Sequence, residues 1–595
     1  MNIIGISGLS NSVKFKQRAF PNLSKRQYRF AQGADAAAAL ITNGSIRAAA
    51  AEERFVGVKG THAFPINAIH YCLNAGGLAT DDIDFIAHNF NYEPFREYFI
   101  NDPYTKQLFD EVYSREAIIS CFEEYLPSCD WADKFVQVPH HLAHAASAFY
   151  PSGLNEALIL VADGIGEFHS TTIAVGNHDQ IDIIRQVPGL HSLGLLYGIF
   201  TLYLGFYMNF DEYKVMGLAP YGNRHRYFSK VMQLVDLRDD GTYTTPVLFH
   251  NKTMEEKETY SGTLRVLTDM FGPPRQPESE ITQHHIDVAA ALQATLEACL
   301  MHLLRYFQRE TGQERLCMAG GVALNCTANS VVKRSGLFED MFIQPAAGDD
   351  GTALGAALYV QHTHEPRSGT KSIVHSAQKM ALPLWGPAYH DTAIWQSLVE
   401  RPNCECVAFA TFDDLIESIA QRLARGQIVA WFQGPMEFGP RALGNRSILA
   451  DPRHPDMRDR INSIVKKRES FRPFAPAVTA EAASQYFDIE VGNEAMYSYM
   501  LLVTQVREVY REQLPAITHI DGSARVQTVS REENEQFWAL LDGFSKLTGL
   551  PVLLNTSFNV RGQPIVCTPA DAIDTFLSTE LDALAIGCYV VEHKR

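Results

Sequence analysis

The apolar positions of this chain fall in short runs that stop abruptly, a pattern that predicts an α/β protein. Ile3 to Ile6 forms the first run; Ala37 to Ile41 forms a second, followed by Asn43-Gly44 and a third, Ile46 to Ala51. Asn-Gly accepts the left-handed backbone of a two-residue turn, so these runs predict strands that pair in sequence as a hairpin. Between the first two lies a polar, basic stretch, Asn11 to Gln32. Farther on, Leu158 to Ala162 ends at Asp163-Gly164-Ile165-Gly166, and Leu316 to Ala319 ends at Gly320-Gly321. Strands that end in acidic groups or tight glycine turns before a helix mark ligand sites in α/β proteins. Two such ends predict two similar lobes facing a cleft in an N-terminal domain, residues 1–365. The segment from His362 to His390 breaks the pattern with Pro366, Gly369, Pro383, Gly386 and Pro387, and residues 366–390 read as a linker. A second α/β domain follows, residues 391–595, with strand candidates at Ile428 to Phe432 and Val552 to Leu554.

Composition narrows the function classes. A 595-residue chain that is 46% hydrophobic and 20% charged reads as globular, with a few domains. No apolar run approaches the roughly 20 residues that span a bilayer, and the first residues lack the pattern of a signal peptide. The expectation is a cytoplasmic protein without a membrane partner. Ten scattered cysteines form no CxxC pair, which suits free thiols. A formal net charge of −17 argues against a nucleic-acid partner and leans toward a cationic small molecule.

Candidate chemistry sits in three places. His140 and His144, in His-His-Leu-Ala-His, are four apart in a helix-favouring stretch. Both imidazoles therefore leave one helical face and can reach one metal ion. The zinc-protease motif HExxH has the same spacing, but position 141 is histidine, so its general base is missing. Asp163 at a strand end and Asp349 in Gly-Asp-Asp-Gly can complete a site for ferrous iron, manganese or zinc. Second, the turn Gly320-Gly321, followed by Asn325, suits backbone amides approaching a phosphate, with Asn325 bonding a ribose or phosphate. Third, Arg441, Arg446, Lys466, Arg468 and Arg472 lie among Gly, Pro and aromatic residues. Arginine forks match phosphate and carboxylate oxygens in pairs, so this set reads as a pocket for a small anion; ion pairs with Asp451, Asp456 and Asp459 are the alternative. Two further polar stretches, His519 to Thr528 and Leu554 to Asn559, read as loops lining the same site or as simple turns.

Taken together, four stretches resemble the NodU/CmcH family of O-carbamoyltransferases. They are His140 to Ser152, Lys214-Val215-Met216-Gly217-Leu218-Ala219-Pro220-Tyr221-Gly222, Pro345 to Ala353, and Phe471-Arg472-Pro473-Phe474-Ala475-Pro476. The resemblance implies an N-terminal domain of the actin/sugar-kinase type, similar to TsaD, and a C-terminal YrdC-like domain. It implies that ATP, with magnesium, and carbamoyl phosphate give carbamoyl adenylate, and that the carbamoyl group then passes to a hydroxyl of a small molecule beside a metal ion, ferrous iron first among the candidates. By matching motif, His140, His144, Asp163 and Asp349 would bind metal, with Asp35, His140 and Asp163 catalytic. Lys466, Arg472, Arg441 and Arg446 would hold carbamoyl phosphate, and Arg525 and Ser530 would lie near the adenylate. A homodimer is also implied. The chain departs from the family at Gly33-Ala34-Asp35, where relatives carry His-Asp; Ala34 replaces the histidine, and Lys59 and His62 stand nearby as substitutes. Two rival readings are a tRNA-modifying enzyme of the threonylcarbamoyl type and a non-enzymatic ATP-dependent switch.

Overall fold

A computed structural model describes residues 1–127, 129–364, 379–466, 469 and 471–594. The protein is mixed α/β, and its chain divides into two compact units. Unit 1 comprises Met1–Glu53 and Gly60–Met380; unit 2 comprises Arg54–Lys59 and Ala381–Arg595.

Unit 1 holds two five-stranded sheets with the same plan. The first contains β1 (Asn2–Ser7), β2 (Ala37–Thr42), β3 (Ser45–Ala51), β4 (Phe85–His88) and β5 (Phe135–Gln137), in the order β3-β2-β1-β4-β5. The predicted hairpin joins β2 to β3, with Asn43 at φ 50° and Gly44 at φ 76°. The second sheet contains β6 (Glu156–Ala162), β7 (His169–Asn177), β8 (Gln180–Pro188), β11 (Arg315–Ala319) and β12 (Asp340–Ile343). A two-stranded ribbon, β9 (Asp236–Leu237) and β10 (Tyr243–Thr244), intervenes in the chain. The second sheet runs β12-β11-β6-β7-β8. In both sheets a central strand pairs antiparallel with the next strand in sequence and parallel with a later one. The duplicated plan, suggested by two similar strand ends, is thus present in the topology.

Close backbone contact sets the spacing inside unit 1. The helix Asp350–His364 packs on β1 and on the helix His140–Phe149. A Cβ on Gly5 would lie 1.9 Å from the Ala353 carbonyl oxygen, and one on Gly355 would lie 1.7 Å from that of Ala143. No side chain fits either gap, so glycine alone permits these elements to approach. Among the described residues one helix, Gln283–Thr311, is long and apolar enough to cross a bilayer, and 83% of its apolar window is buried.

Unit 2 is built on an eight-stranded sheet. Its strands are β13 (Cys404–Ala408), β14 (Val429–Phe432), β15 (Arg446–Ala450), β16 (Ala475–Thr479), β19 (Gln527–Val529), β20 (Val552–Ser557), β21 (Ala583–Ile586) and β22 (Tyr589–His593), with β17 (Thr504–Gln505) and β18 (Ser523–Ala524) forming a ribbon apart. The order is β13-β22-β21-β14-β15-β20-β16-β19. Its core joins the helices Phe412–Ala424 and Glu535–Thr548 to the sheet through Leu415, Trp431, Phe537 and Phe544.

Two expected boundaries are corrected. The domain 1–365 is not continuous, because Arg54–Lys59 belongs to unit 2. There Arg54 donates to the Gly439 carbonyl at 2.8 Å and Phe55 packs beside Met436 and Ala442. The second half of the expected linker 366–390 is also part of unit 2: Gly386 and Met436, Met436 and Pro387, and Phe438 and Pro383 exchange backbone hydrogen bonds. A proline-rich stretch reads as a spacer, yet proline tolerates the extended conformation this pairing uses. Residues 365–378 lie outside the described residues. The ten cysteines are free thiols.

Replacing Gly355 by alanine is expected to push the two helices apart and to cost about 1–3 kcal/mol, the usual cost of overpacking. Urea unfolding followed by circular dichroism checks it; an unchanged midpoint would refute the close-approach argument.

Candidate metal centre

The local sequence explains how four ligands meet. Pro139 starts the helix His140–Phe149 directly after β5, and almost every residue of that helix is buried. Its alanine-rich sequence presents His140 and His144 on one face without bulk around them. Asp163 follows the last residue of β6, and Asp349 immediately precedes the helix Asp350–His364.

The four groups converge. The Nε2 atoms of His140 and His144 are 3.1 Å apart. Asp163 Oδ2 lies 3.3 Å from the first and 3.8 Å from the second, and Asp349 Oδ1 lies 3.5 Å from both. All four ligand atoms fall within 4.8 Å of one another. Metal–ligand bonds of about 2.0–2.2 Å place neighbouring donors roughly 3.0–3.5 Å apart around one ion, which four of these five separations match. Both histidines and Asp163 are buried. Lone pairs aimed at one buried point repel unless a cation shares them. The titration behaviour says the same. Burial opposes charge on His140, yet Asp349 and Asp163 hold its imidazole well above its ordinary value. Burial would raise Asp163, but His140 and His144 hold it well below the usual carboxylate range. Asp349 is lowered by His140 against the same burial.

Surrounding groups fix the ligands in place. Gly321 donates its backbone N–H to Asp163 Oδ1 at 2.9 Å. His140 stacks on Phe90, centroids 4.4 Å apart and planes 7° apart. Asn89 Nδ2 lies 3.5 Å from His140 Nδ1 and donates to Thr352 Oγ1 at 2.7 Å. Glu167 accepts the backbone N–H groups of His140 and Asn91, each at 2.8 Å, so a carboxylate caps the histidine helix where the dipole favours one. Burial raises its pKa. Glu167 and Asn89 went unnoticed in the sequence; only the position of Glu167, four after Asp163, marked it.

The glycine turn has a different job from the expected one. Gly320 has φ 89°, and a Cβ there would lie 2.3 Å from the Ala162 carbonyl oxygen. With the Gly321 N–H committed to Asp163, the turn orients a carboxylate of the cluster. Asn325 is also corrected. Its Oδ1 accepts from Ala328 N at 3.0 Å and from Gln293, and its Nδ2 donates to Gln293 at 2.9 Å. It caps the helix Cys326–Arg334 and is not poised for a ribose. Asp35, expected to be catalytic, is not among the four ligands. It sits in the turn before β2 at φ 56°, with Ser7 donating to its carbonyl and Arg29 electrostatically close.

His62 is the notable neighbour. Its Nε2 lies 2.9 Å from the Ala31 carbonyl oxygen. A carbonyl only accepts, so Nε2 carries the proton and Nδ1 is the basic nitrogen. Burial, with Arg29 and Lys16, depresses its pKa against the Ala31 hydrogen bond and Asp349, so the ring is neutral at pH 7. Lys59, the other substitute, belongs to unit 2.

The anion set lies in unit 2. Lys466 is buried, and its ammonium contacts Ser557 and Asn559 oxygens at 2.5–3.4 Å, which joins two predicted site segments. Arg472 pairs with Glu469 at 3.3 Å and is mostly buried. Arg441 is half-buried in the loop between β14 and β15, and Arg525 is half-buried ahead of β19. Ser530 caps the turn after β19 by accepting from Glu533 N at 3.3 Å. Arg446 is a correction. Its guanidinium is fully buried, donates to the Gln433, Gly434, Asn445 and Pro387 carbonyls and stacks 3.6 Å over Phe432. It braces backbone in place of holding an anion. Arg468 lies outside the described residues. Unforeseen was Glu437, buried, whose Oε1 collects the N–H groups of Leu443, Asn445 and Arg446 and so shapes the loop carrying Arg441.

Comparison with known proteins decides the family. The Carbamoyltransferase N-terminus model matches residues 31–358, and the Carbamoyltransferase C-terminus model matches residues 420–593. The chain belongs to the carbamoyltransferase family. It is similar to the nodulation protein NolNO of Sinorhizobium fredii, with 38% identity over all of this chain and 83% of that protein. It shares 44% identity with the nodulation protein NolO of Bradyrhizobium diazoefficiens over 76% of this chain and 79% of that one. Nodulation protein U of the same organism is 36% identical over 47% of this chain and 45% of its own length. The four-ligand cluster of unit 1 is therefore a candidate metal site in a carbamoyltransferase-family enzyme.

Replacing His144 by alanine in this carbamoyltransferase is expected to lower the bound divalent metal by at least about tenfold, and Glu167→Gln to weaken it by roughly the same factor or less, as for groups that orient ligands. Elemental analysis and metal titration check both; retention of full metal by His144→Ala would remove the site.

Proposed function

We propose that this enzyme is an ATP-dependent O-carbamoyltransferase acting on a hydroxyl of a small molecule. The observation that carries the reading is the convergence of His140, His144, Asp163 and Asp349 on one point in a chain of this family. The repeated sheet plan of unit 1 supports an actin/sugar-kinase type of fold similar to TsaD, and unit 2 is read as YrdC-like. In this reading unit 2 hydrolyses carbamoyl phosphate to carbamate and phosphate, the carbamate oxygen attacks the α-phosphorus of magnesium-bound ATP, pyrophosphate leaves, and Lys466, Arg472 and Arg441 neutralise the anions. Activation as carbamoyl adenylate turns a weak electrophile into a mixed anhydride, which water would destroy in the open.

Transfer then takes place at unit 1. The acceptor oxygen attacks the carbamoyl carbon, the bond from that carbon to the AMP oxygen breaks, and AMP leaves with the electron pair. His62 Nδ1 takes the hydroxyl proton, in the place of the histidine that Ala34 replaces. A divalent ion, read as ferrous iron from two imidazole and two carboxylate donors, would be held by His140, His144, Asp163 and Asp349 and would supply Lewis-acid chemistry to the transfer. His140 and His144 hold that charge-stabilising position from a rigid helix, and the Gly321 N–H keeps Asp163 aimed at it. The acidic net charge supports a small-molecule acceptor over a nucleic acid, and the protein is read as cytoplasmic and homodimeric.

Two measurements test the reading. Incubation with ATP, magnesium and carbamoyl phosphate is expected to release pyrophosphate, and Arg472→Ala to reduce that release by at least about tenfold, as loss of a charge-assisted contact implies. No release with any hydroxyl acceptor would favour the tRNA or switch reading. The sign of the pH dependence follows from His62. A depressed pKa keeps the ring basic down through neutrality, so transfer is flat above pH 7 and falls as protonation removes the base at lower pH. His62→Gln is expected to slow transfer about 100-fold or more and to abolish that acidic limb, while pyrophosphate release persists. A limb that survives the substitution assigns the base elsewhere.

A further inference from the structure

The loop from Asp163 to Phe168 joins β6 to β7. It carries one carboxylate of the cluster, Asp163, and the cap of the histidine helix, Glu167. Four successive carbonyls of this loop are taken by side chains. Ser192 Oγ lies 3.1 Å from the Asp163 oxygen and 2.6 Å from that of Gly164. Gln32 Nε2 donates to the Ile165 carbonyl at 3.0 Å and to the Gly166 carbonyl at 2.7 Å. A hydroxyl has one proton and serves one carbonyl at a time, whereas an amide NH2 has two and serves both. Position matters at Gly166, where a Cβ would lie 3.0 Å from His141 Cδ2 and 3.2 Å from His140 Cδ2. The loop backbone therefore passes against a ring of the cluster.

The orientation of the Gln32 amide is fixed by its partners. Carbonyls only accept, so the nitrogen faces Ile165 and Gly166, and Oε1 accepts from the Tyr92 hydroxyl. Burial, with Tyr113 and Glu167, pushes that hydroxyl well above its ordinary value, so it keeps the proton it donates. Tyr92 is held between Tyr113 at 4.1 Å and Phe90 at 5.9 Å. Its neighbour Asn91 donates its N–H to Glu167 at 2.8 Å. The segment Asn91-Tyr92 and the loop are thus joined twice, directly by Glu167 and through Gln32. The residue before Gln32 has a task of its own: the Ala31 carbonyl accepts the N–H that sets the His62 tautomer, at 2.9 Å. Ala31 and Gln32 lie in irregular chain between the helix Lys25–Tyr28 and β2. Backbone support there comes from bonds at the long end of the range: Phe30 to Gln27, Ala31 to Tyr28 and Leu9 to Gly33, each 3.2 Å. Three hydrogen bonds from one amide are a large share of what holds this stretch.

We propose that Gln32 is a positioning residue for carbamoyl transfer: its amide holds the loop of Asp163 and, through Ala31, the ring of His62, so that ligand and base are set from one point. The proposal rests on the carbamoyl-transfer reading, in which His62 is the base. Gln32 touches no reacting group itself. Transfer needs the base and the cluster in one geometry, and a small misplacement of either slows it. In the sequence Gln32 is only the last residue of a basic stretch.

The test uses the full-length protein with Mn²⁺ alone as the metal probe. The His62 tautomer is read by ¹⁵N-histidine NMR of the metal-free protein, its signal assigned by its loss in His62→Gln. The wild type is expected to bind Mn²⁺ and to show His62 protonated at Nε2. Gln32→Met keeps the length of the side chain and removes all three hydrogen bonds. It is expected to weaken Mn²⁺ binding about tenfold, as for loss of a group that orients ligands, and to turn the His62 signal into a mixture of tautomers. Cooperative melting confirms that the variant is folded. Should it fail to fold, Tyr92→Phe carries the test: it removes one hydrogen bond and is expected to move both readouts the same way, with about threefold loss of affinity. A folded variant that keeps the wild-type affinity and tautomer, or that changes one and not the other, overturns the proposal. So does a wild type that binds no Mn²⁺ or holds the other tautomer. Wild-type release of pyrophosphate from ATP, magnesium and carbamoyl phosphate is scored separately. Release with unmoved readouts rejects the role of Gln32 and keeps the reaction; moved readouts without release keep its hold on loop and ring and reject the reaction.

Discussion

Four electron-pair donors facing one point, three of them buried, are the constraint around which unit 1 is arranged. Left to themselves they repel, and burial makes the repulsion worse. The chain holds them there because each comes from an element whose position is fixed by something else. The histidine helix is pressed against the helix after Asp349 through Gly355. Asp163 is tethered by the Gly321 N–H, and the helix start is capped by Glu167. Such a centre trades local stability for readiness, and a bound cation would recover part of what the arrangement costs.

The sequence made the ligands legible and hid what supports them. A four-residue spacing of histidines and an aspartate at the end of an apolar run are local patterns, and helix and strand periodicity carry them directly into space. The role of a glycine pair is not local. Gly320-Gly321 has the look of a phosphate turn, but whether its N–H meets a phosphate or Asp163 depends on a strand some 160 positions away, on the order of a whole lobe. Arg446 shows the same limit. Charge type suggests an anion partner, yet a guanidinium can be consumed by backbone carbonyls once the fold curls them around it. Glu437 was silent for the converse reason: a lone glutamate gives no hint that three N–H groups will converge on it.

Basic character along a segment was the least informative signal. The stretch from Asn11 to Gln32 reads as polar and basic, and Lys14, Arg18 and Lys25 do face solvent. Lys16 instead turns inward to Glu258, more than two hundred residues later in the chain. Burial of such a group is visible only when its counter-ion is known, and long-range pairing is the part of a fold that periodicity cannot encode. The hairpin at Asn43-Gly44, by contrast, was fully legible, because its turn chemistry lies in two adjacent residues.

The assignment of Arg54–Lys59 to unit 2 has a consequence for how this chain reaches its native state. A hexapeptide made early in synthesis waits for a partner, Gly439, 385 positions downstream. Closing a loop of that size is entropically slow rather than prohibitive. Unit 2 is thus not a module that can be cut at residue 381 and expected to behave natively; such a fragment lacks the guanidinium that braces its own loop. The two halves of the gene product are interleaved, and shuffling them between relatives requires carrying the six residues along.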